Sequence, residues 1–197
     1  GGGPQIGEML DKLDIESPFE AGLRVTSKEA MKVAEMVLSG SINKAIVAAI
    51  NQAGGNAMGL SGKDNNMVTA EKLAGPGGAD LGFVGKPKSV DPSGLKQFVT
   101  QDMIPVIAPI ANGDDGETYN INADTMAGAV AAALGARRFL LLTDVAGVLD
   151  SDGNLLTDLN TADIDTLTKE GVIKGGMLPK VETCLHATQN GATAAVI

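Results

Sequence analysis

Apolar residues recur at helical spacing through the first quarter of the chain. A glycine-rich turn leads into a predicted helix from residue 4 to about residue 13. Thr26-Ser27-Lys28-Glu29 has the pattern of a capping box, and the helix that it opens is expected to end near Gly40. A third helix is predicted from residue 42 until Gly54-Gly55 stops it.

The pattern then changes to short apolar pieces between glycine and charged residues. From residue 57 to residue 90 this pattern is typical of strands and hairpins. Asp91-Pro92 indicates the start of a helix that runs to about residue 101. The segment 104–110 is predicted to be a buried strand punctuated by prolines, and 122–135 an alanine-rich helix.

The clearest strand is the continuous apolar run 139–143, which breaks into a loop at 144–147. Helices at about 162–170 and 178–189 and a last strand at 193–197 follow. This alternation predicts an α/β fold with a mainly parallel central sheet, and ligands bind such sheets at the carboxyl ends of the strands. Because no linker or internal repeat interrupts the pattern, we expect one domain.

Composition narrows the class of protein. Of the 197 residues, 44% are hydrophobic and 20% are charged, which excludes disorder for most of the chain. A net charge of -9 argues against nucleic acid as a partner, because such binding needs a broad basic surface. The single Cys184 and the single His186 exclude a disulfide framework and a multi-cysteine zinc site. Both are assigned to packing, and a reducing, cytoplasmic compartment is expected.

The apolar stretches and the ends of the chain were also searched for membrane-spanning and signal segments. The uncharged stretch 126–136 is too short and too weakly hydrophobic to span a bilayer, so no membrane segment is expected. The chain begins with Gly1-Gly2-Gly3, without an initiator methionine or a signal sequence, and it stops on a predicted strand. We therefore expect a domain that is incomplete at both ends.

Two possible phosphate-binding motifs do not fit. Gly62-Lys63 resembles the end of a P-loop, but Asp64 stands where Ser or Thr is required. The turn Gly1-Gly2-Gly3 lacks the spaced glycines of a dinucleotide fingerprint. Three glycines before a helix nevertheless offer unhindered N–H groups to an anion, and an ordinary tight turn is an equally good interpretation.

Four further segments have a chemical and a plain structural interpretation. Residues 120–124 place two amides and a carboxylate at the start of a helix, where Asn and Asp are also ordinary capping residues. Simple surface features would also explain the three other segments. These are a loop arginine in 22–26, a lysine in 175–180 and the end of a strand at 143–148. Taken singly, each segment favours the structural interpretation.

Together and in this order, these segments closely resemble the N-acetylglutamate kinases, members of the amino-acid kinase family. The resemblance covers essentially the whole chain. It rests on the tri-glycine turn and on the segments 22–26, 59–64, 81–85, 104–109, 119–124, 141–144 and 175–180. It implies a three-layer α/β/α sandwich around a mainly parallel sheet. Residues 1–135 would then bind mainly the amino acid and residues 136–197 mainly the nucleotide.

The sequence departs from the family pattern at both ends. Family members carry an earlier strand and a glycine loop with a lysine that contacts the transferring phosphoryl group, and this sequence starts after that loop. The segment 52–58 superficially echoes the loop, but Gln52 occupies the lysine position, so the segment is not assigned to it. The segment that completes the nucleotide lobe after Ile197 is also missing.

The reaction implied by the resemblance is transfer of the ATP γ-phosphoryl group to the side-chain carboxylate of N-acetyl-L-glutamate. A carboxylate with a pKa near ~4.3 is ionised at neutral pH, so the nucleophile needs no general base. This agrees with a chain that has one histidine. The protein must instead place two anions in line and neutralise their charge.

The resemblance also implies roles for individual residues. The N–H groups of Gly2 and Gly3 would bind the substrate or the transferring phosphoryl group, Arg24 the substrate α-carboxylate, and Asn120 the substrate near its other end. The catalytic pair would be Lys180, which contacts the donor phosphates and the leaving oxygen, and Asp124, which orients the lysines. The adenine and ribose site would comprise Thr143, Asp144, Val145, Ala146, Gly147, Val148, Val172, Ile173 and Lys174.

Cofactors and partners follow from the same resemblance. ATP is the expected donor, with Mg²⁺ held mainly by its phosphates, because the sequence has no dense carboxylate cluster. A homo-oligomer is expected, with arginine or a nitrogen-signalling protein as candidate regulators. The expected location is the cytoplasm, or the plastid in a plant.

Two alternatives to this function remain. A relative that phosphorylates another acylated amino acid, such as carrier-bound aminoadipate in lysine biosynthesis, would share Arg24, Asp124 and Lys180. A non-catalytic relative that binds nucleotide or a regulatory protein is the alternative from a different class. Retention of both Asp124 and Lys180 argues against lost catalysis.

Overall fold

The computed structural model describes residues 2–20 and 22–197, which cluster into unit 1, Gly1–Met126, and unit 2, Ala127–Ile197. The helices of unit 1 are α1 (Gly3–Lys12), α2 (Lys28–Glu35), α3 (Asn43–Gln52) and α4 (Ser93–Thr100). Its strands are β1 (Phe19–Glu20), β2 (Leu23–Arg24), β3 (Ala57–Ser61), β4 (Val68–Ala74), β5 (Asp80–Val90), β6 (Ile104–Ala108), β7 (Ile110–Gly113) and β8 (Thr118–Ile121).

Helix α5 (Ala123–Leu134) begins in unit 1 and ends in unit 2. The other elements of unit 2 are β9 (Phe139–Leu140), α6 (Thr161–Lys169), α7 (Met177–Gln189) and β10 (Ala195–Val196). The helices predicted at 4–13, 122–135, 162–170 and 178–189 are confirmed to within one residue at each end. The strands predicted within 57–90 are confirmed as β3, β4 and β5.

The helix predicted to end near Gly40 does not end there. A π-helical segment, Met36–Ile42, joins α2 to α3, so that helical structure continues to Gln52. Val37 and Leu38 are buried in this segment, and their packing outweighs the modest cost of a glycine inside a helix. Its N-terminal cap also differs from the prediction, because Ser27 rather than Thr26 accepts the N–H of Ala30 at 3.1 Å.

The joined helix has a further property that the sequence analysis missed by dividing it at Gly40. Lys28–Gln52 is 25 residues long and apolar, so length and composition alone would let it cross a membrane. The core helix of a folded domain passes the same test. Its buried residues Ala30, Met31, Val33, Ala34, Val37 and Leu38 belong to one core cluster of unit 1, together with Ile6 and Leu10 of α1.

Besides the short antiparallel pair of β1 and β2, two sets of strands form the β-structure of unit 1. β3 pairs with β6 in parallel, and β4, β5, β8 and β7 close into a barrel. Within the barrel, β4 with β5 and β7 with β8 are antiparallel, whereas β4 with β7 and β5 with β8 are parallel. The strand predicted at 104–110 is therefore two strands, which are separated at Pro109, a residue that has no N–H to donate to a ladder.

Unit 2 packs its helices on a short parallel pair, β9 with β10. The apolar run 139–143 was predicted to be one continuous strand, but the strand ends at Leu140, and Leu142 is 93% exposed. Phe139 and Leu141 are buried while Leu140 is exposed, so only one face of this strand is covered by other residues. Parallel strands are fully apolar when both faces are covered, and the prediction assumed that case.

Cys184 and His186 both lie on α7 and were both assigned to packing, but only one of the two is buried. Cys184 is buried in a core cluster with Phe139, Leu141 and Ala187, as predicted. His186 is exposed, so its assignment to packing is wrong. α7 buries Val181, Cys184 and Ala187 at a spacing of three, and His186 lies off that stripe.

Helices and strands alternate along the chain, which confirms the α/β class. Among the described residues, the parallel pairings are β3 with β6, β4 with β7, β5 with β8 and β9 with β10. Within the described residues of unit 1, the strands are hydrogen-bonded as β1 with β2, β3 with β6, and the four strands of the barrel.

Candidate active site

A cleft of about 180 Å³ lies in unit 1 at the N-terminus of α1, beside β2 and β8. Four residues predicted to bind the substrate line it, namely Gly2, Gly3, Arg24 and Asn120. They come from three separate sequence segments. The remaining lining residues are Ile6, Phe19, Gly22, Leu23, Leu38, Val84, Pro109, Ile121, Asn122 and Ala123.

The N-terminus of α1 supplies backbone N–H groups and the positive end of a helix dipole to this cleft. Gly2 is the N-cap residue, its φ is 144°, and no side chain caps the helix among the described residues. A Cβ atom on Gly2 would lie 2.6 Å from Ile42 Cδ1 and 2.7 Å from Leu38 Cδ2, whereas one on Gly3 would meet nothing within 4 Å. Glycine is therefore favoured at position 2 by its backbone conformation, and the terminal methyl groups of Ile42 and Leu38 would have to move to admit a Cβ atom.

Arg24 is fixed by two contacts of different kinds. Its Nη2 donates to the carbonyl oxygen of Gly3 at 3.1 Å. Its guanidinium carbon lies 4.6 Å from the centre of the Phe19 ring. The side chain is half-buried, and an arginine fork of this kind matches the geometry of a carboxylate.

The amide side of the cleft comes from β8 and the turn that follows it. Asn120 pairs with Ile110 of β7 and with Val84 of β5, so strands on both sides hold it where it lines the cleft. Asn122 has a structural role, because its Oδ1 accepts the N–H of Thr125 at 3.1 Å and caps α5. Asp124, the predicted orienting carboxylate, is half-buried in the first turn of α5.

In unit 2, the two segments predicted to bind the nucleotide pack on the same helix. Val148 and Ile173 are buried in one cluster with Val181 of α7. Lys180 directly precedes Val181 and is half-buried. The segments that contain Val148 and Ile173 therefore meet near the first turns of α7.

The polar residues of the predicted nucleotide site lie at the surface of unit 2. The hydroxyl of Thr143 donates to the carboxylate of Asp144 at 3.1 Å, and Asp144 is exposed. Ala146, Val145 and Lys174 are also exposed, whereas Gly147 and Val148 are buried.

A larger cleft of about 590 Å³ in unit 2 has mainly apolar walls. Val148 is the one predicted nucleotide residue that lines it. Its other walls come from the segments 155–159 and 193–197, from α7 and from Ile164 of α6, so it overlaps the predicted nucleotide segments at Val148 alone.

The sequence analysis missed three side chains of the unit 1 cleft, Ile6, Phe19 and Leu38. Ile6 and Leu38 belong to helical stripes that predict packing and give no further signal. Phe19 could have been found, because a strand residue across a short glycine turn from Leu23-Arg24 is a candidate partner of the arginine.

Carboxylates and other metal ligands are scattered in the structure. Within residues 2–20 and 22–197, no group of three or more His, Cys, Asp or Glu could hold a metal ion.

An α/β protein with an arginine, two amides and a helix N-terminus around one cleft is equipped to bind a carboxylate. The model of the amino acid kinase family matches residues 1–197, and the chain belongs to that family. Its sequence is 56% identical over 211 residues to the acetylglutamate kinase of Novosphingobium aromaticivorans, covering 100% of this chain and 70% of that protein.

Other relatives agree in sequence and in fold. The acetylglutamate kinase of Erythrobacter litoralis is 59% identical over 206 residues, which cover 100% of this chain and 69% of that protein. The solved structure of smu.665 from Streptococcus mutans UA159 matches with a TM-score of 0.83 at 30% identity, covering 98% of this chain and 77% of that one. The predicted amino-acid kinase fold is thus confirmed.

Proposed function

We propose that the protein transfers the γ-phosphoryl group of ATP to the side-chain carboxylate of N-acetyl-L-glutamate, as a step of arginine biosynthesis. The observation that carries this proposal is the convergence of Gly2, Gly3, Arg24 and Asn120 in one cleft. Support comes from the acetylglutamate kinases that match the whole chain at 54–59% identity. The chain spans about 70% of the length of those relatives.

The cleft suits an acylated amino acid with two carboxylates. Arg24 would bind the α-carboxylate with its remaining donors, because Gly3 accepts from Nη2 and leaves the other N–H groups of the guanidinium. The first N–H groups of α1, at Gly2 and Gly3, would receive the anionic reacting end or the transferring phosphoryl group. Asn120 would hydrogen-bond the substrate from β8. The apolar lining favours the uncharged acyl part.

The chemistry requires positioning and charge neutralisation rather than proton removal. The nucleophilic carboxylate is already ionised at neutral pH, so its oxygen can attack phosphorus without a general base. As the bond between phosphorus and the leaving oxygen breaks, negative charge grows on ADP. Lys180 would stabilise that charge, and Asp124 would orient lysine side chains through its own carboxylate.

The nucleotide would be bound by unit 2. Thr143 to Val148 and Val172 to Lys174 would contact adenine and ribose, and the packing of Val148 and Ile173 on α7 supports this assignment. When bound, Mg²⁺ would be held mainly by the ATP phosphates and would neutralise part of their charge. Residues 1–135 would thus act mainly on the amino acid and residues 136–197 mainly on the nucleotide.

The regulatory expectations belong to the same proposal. A homo-oligomer controlled by arginine or by a nitrogen-signalling protein is compatible with a biosynthetic kinase. Sedimentation and activity with added arginine test these two points separately.

The decisive test is an acceptor comparison with the full-length protein. ADP formation is measured with N-acetyl-L-glutamate, with an aminoadipate derivative and without an acceptor, and acyl phosphate is trapped by hydroxylamine. We expect ADP and hydroxamate in equal amounts with N-acetyl-L-glutamate alone. Preference for aminoadipate, or ADP formation without hydroxamate, would contradict the proposed substrate or the proposed acceptor group.

A further inference from the structure

Phe19 is an aromatic residue whose position in unit 1 needs an explanation. It is 62% exposed, although the chain contains only four phenylalanines and one tyrosine. An exposed ring of this size buries little apolar area, so it adds little to the stability of the fold. The ring lines the same cleft as Arg24 and Asn120.

The backbone places Phe19 directly opposite Arg24. β1 and β2 are antiparallel, and Phe19 is the register partner of Arg24. Side chains on directly opposite residues of such a pair lie on the same face of the sheet. The pairing of β1 with β2 therefore places the ring and the guanidinium beside each other.

The two contacts of Arg24 use different parts of its guanidinium. The guanidinium carbon is 4.6 Å from the centre of the Phe19 ring, within the range of cation–π attraction. The carbonyl of Gly3 accepts from Nη2 at 3.1 Å. A ring stacked on the guanidinium leaves the N–H donors of Arg24 available to a ligand. A carboxylate side chain in the place of the ring would compete with the ligand for those donors.

We propose that Phe19 is a positioning residue, whose ring holds the Arg24 guanidinium in place for the α-carboxylate of the substrate. This inference rests on the proposed function. A free arginine side chain loses considerable rotamer freedom when it binds a ligand, and a preformed stack removes part of that loss before the substrate arrives. Phe19 thus acts on affinity for the amino acid through Arg24 and not on the nucleotide.

The test compares Phe19→Leu and Phe19→Tyr in the full-length protein, each with wild-type Arg24 and with Arg24→Ala. Leucine keeps an apolar side chain but removes the ring, and tyrosine keeps the ring. Phe98→Leu is the matched control, because Phe98 lies on α4 outside the cleft. The readouts are kcat, the KM for each substrate, and kcat/KM at low N-acetyl-L-glutamate, which stays measurable when binding is weak.

We expect Phe19→Leu to lower kcat/KM for N-acetyl-L-glutamate about 3- to 30-fold, the range of a cation–π contact, with kcat and the KM for ATP nearly unchanged. Phe19→Tyr should restore wild-type values. With Arg24→Ala, the same Phe19→Leu change should have an effect of less than about 2-fold, because the contact is already lost.

Three results would overturn the inference. The first is wild-type kinetics in Phe19→Leu, and the second is an equal loss in both backgrounds, which would mean that the ring acts independently of Arg24. The third is an equal loss of kcat and of ATP affinity, which a general structural defect would produce. If the wild-type protein neither binds nor phosphorylates N-acetyl-L-glutamate, the proposed function fails and this inference with it.

Discussion

The Nη2 atom of Arg24 donates to the carbonyl oxygen of Gly3 at 3.1 Å, which joins β2 to the first turn of α1 across 21 residues of sequence. Two anion-binding features, an arginine fork and a helix N-terminus, are therefore held together by a direct hydrogen bond. Any substrate carboxylate that binds one of them lies close to the other.

Replacing Arg24 by lysine should weaken binding of the amino acid selectively. Lysine keeps the charge but lacks the planar fork, so a two-donor contact becomes a point contact. Losing one charge-assisted hydrogen bond costs about 1.5–3 kcal/mol, so the KM for N-acetyl-L-glutamate should rise about 10- to 150-fold. Steady-state kinetics with each substrate varied separately measures the KM for N-acetyl-L-glutamate and the KM for ATP.

The control for this substitution is Arg138→Lys, at an exposed arginine in unit 2. It should leave both KM values unchanged. An unchanged KM for N-acetyl-L-glutamate in Arg24→Lys, or an equal rise in the KM for ATP, would contradict the proposal that Arg24 binds the substrate carboxylate.

Substitution of Gly2 by alanine should disturb the start of α1. The backbone φ of 144° is unfavourable for alanine, and the new Cβ would contact Leu38 and Ile42. Strain of this kind costs roughly 1–3 kcal/mol, so we expect kcat/KM to fall about 5- to 150-fold. Gly40→Ala is a suitable comparison, because its Cβ meets no atom within 4 Å, and it should keep wild-type activity. Normal activity in Gly2→Ala would show that the turn does not bind the reacting groups.

Lys180→Ala should lower kcat much more than it raises the KM for N-acetyl-L-glutamate. Its charge matters most when the leaving oxygen becomes anionic, and loss of one such group typically costs on the order of 10²- to 10³-fold in rate. Asp124→Asn should lower kcat in the same way if the carboxylate orients lysines. Lys169→Ala, at an exposed lysine of α6, serves as the control. A wild-type kcat in either variant would exclude that residue from catalysis.

The barrel of unit 1 contains a hydrogen bond that should make stability depend on alkaline pH. Tyr119 donates to Asp115 Oδ2 at 2.6 Å, and this bond, with burial, raises the pKa of Tyr119 from 10.0 to about 12. The protonated phenol is thus favoured in the folded state. Its contribution should be complete below about pH 10 and should disappear as the pH rises from 10 to 12.

Tyr119→Phe tests this contribution. At pH 8 we expect the free energy of unfolding to fall by about 1–2 kcal/mol, since the carboxylate partner is exposed and partly screened. The difference from wild type should shrink towards pH 12. Because Tyr119 is the only tyrosine, its absorbance change during a pH titration reports its ionisation directly. A midpoint near pH 10 would show that the hydrogen bond is absent in solution.

Local sequence signals predicted most elements because they depend on neighbours along the chain. The glycine-rich turn predicted the start of α1, and Asn122 caps α5 as its side chain predicts. Such signals failed where packing decided the outcome. Gly40 lies inside a π-helical segment because Val37 and Leu38, which precede it in that segment, are buried and stabilise the helical conformation.

The sequence by itself determined the α/β class, the family and the identities of the residues expected at the site. Only the tertiary structure brought Gly2, Gly3, Arg24 and Asn120 into one cleft, since three distant segments must pack before their side chains meet. Only the structure placed the ring of Phe19 on the guanidinium of Arg24. Periodicity and capping describe a residue's own element, whereas such contacts depend on how different elements pack against each other.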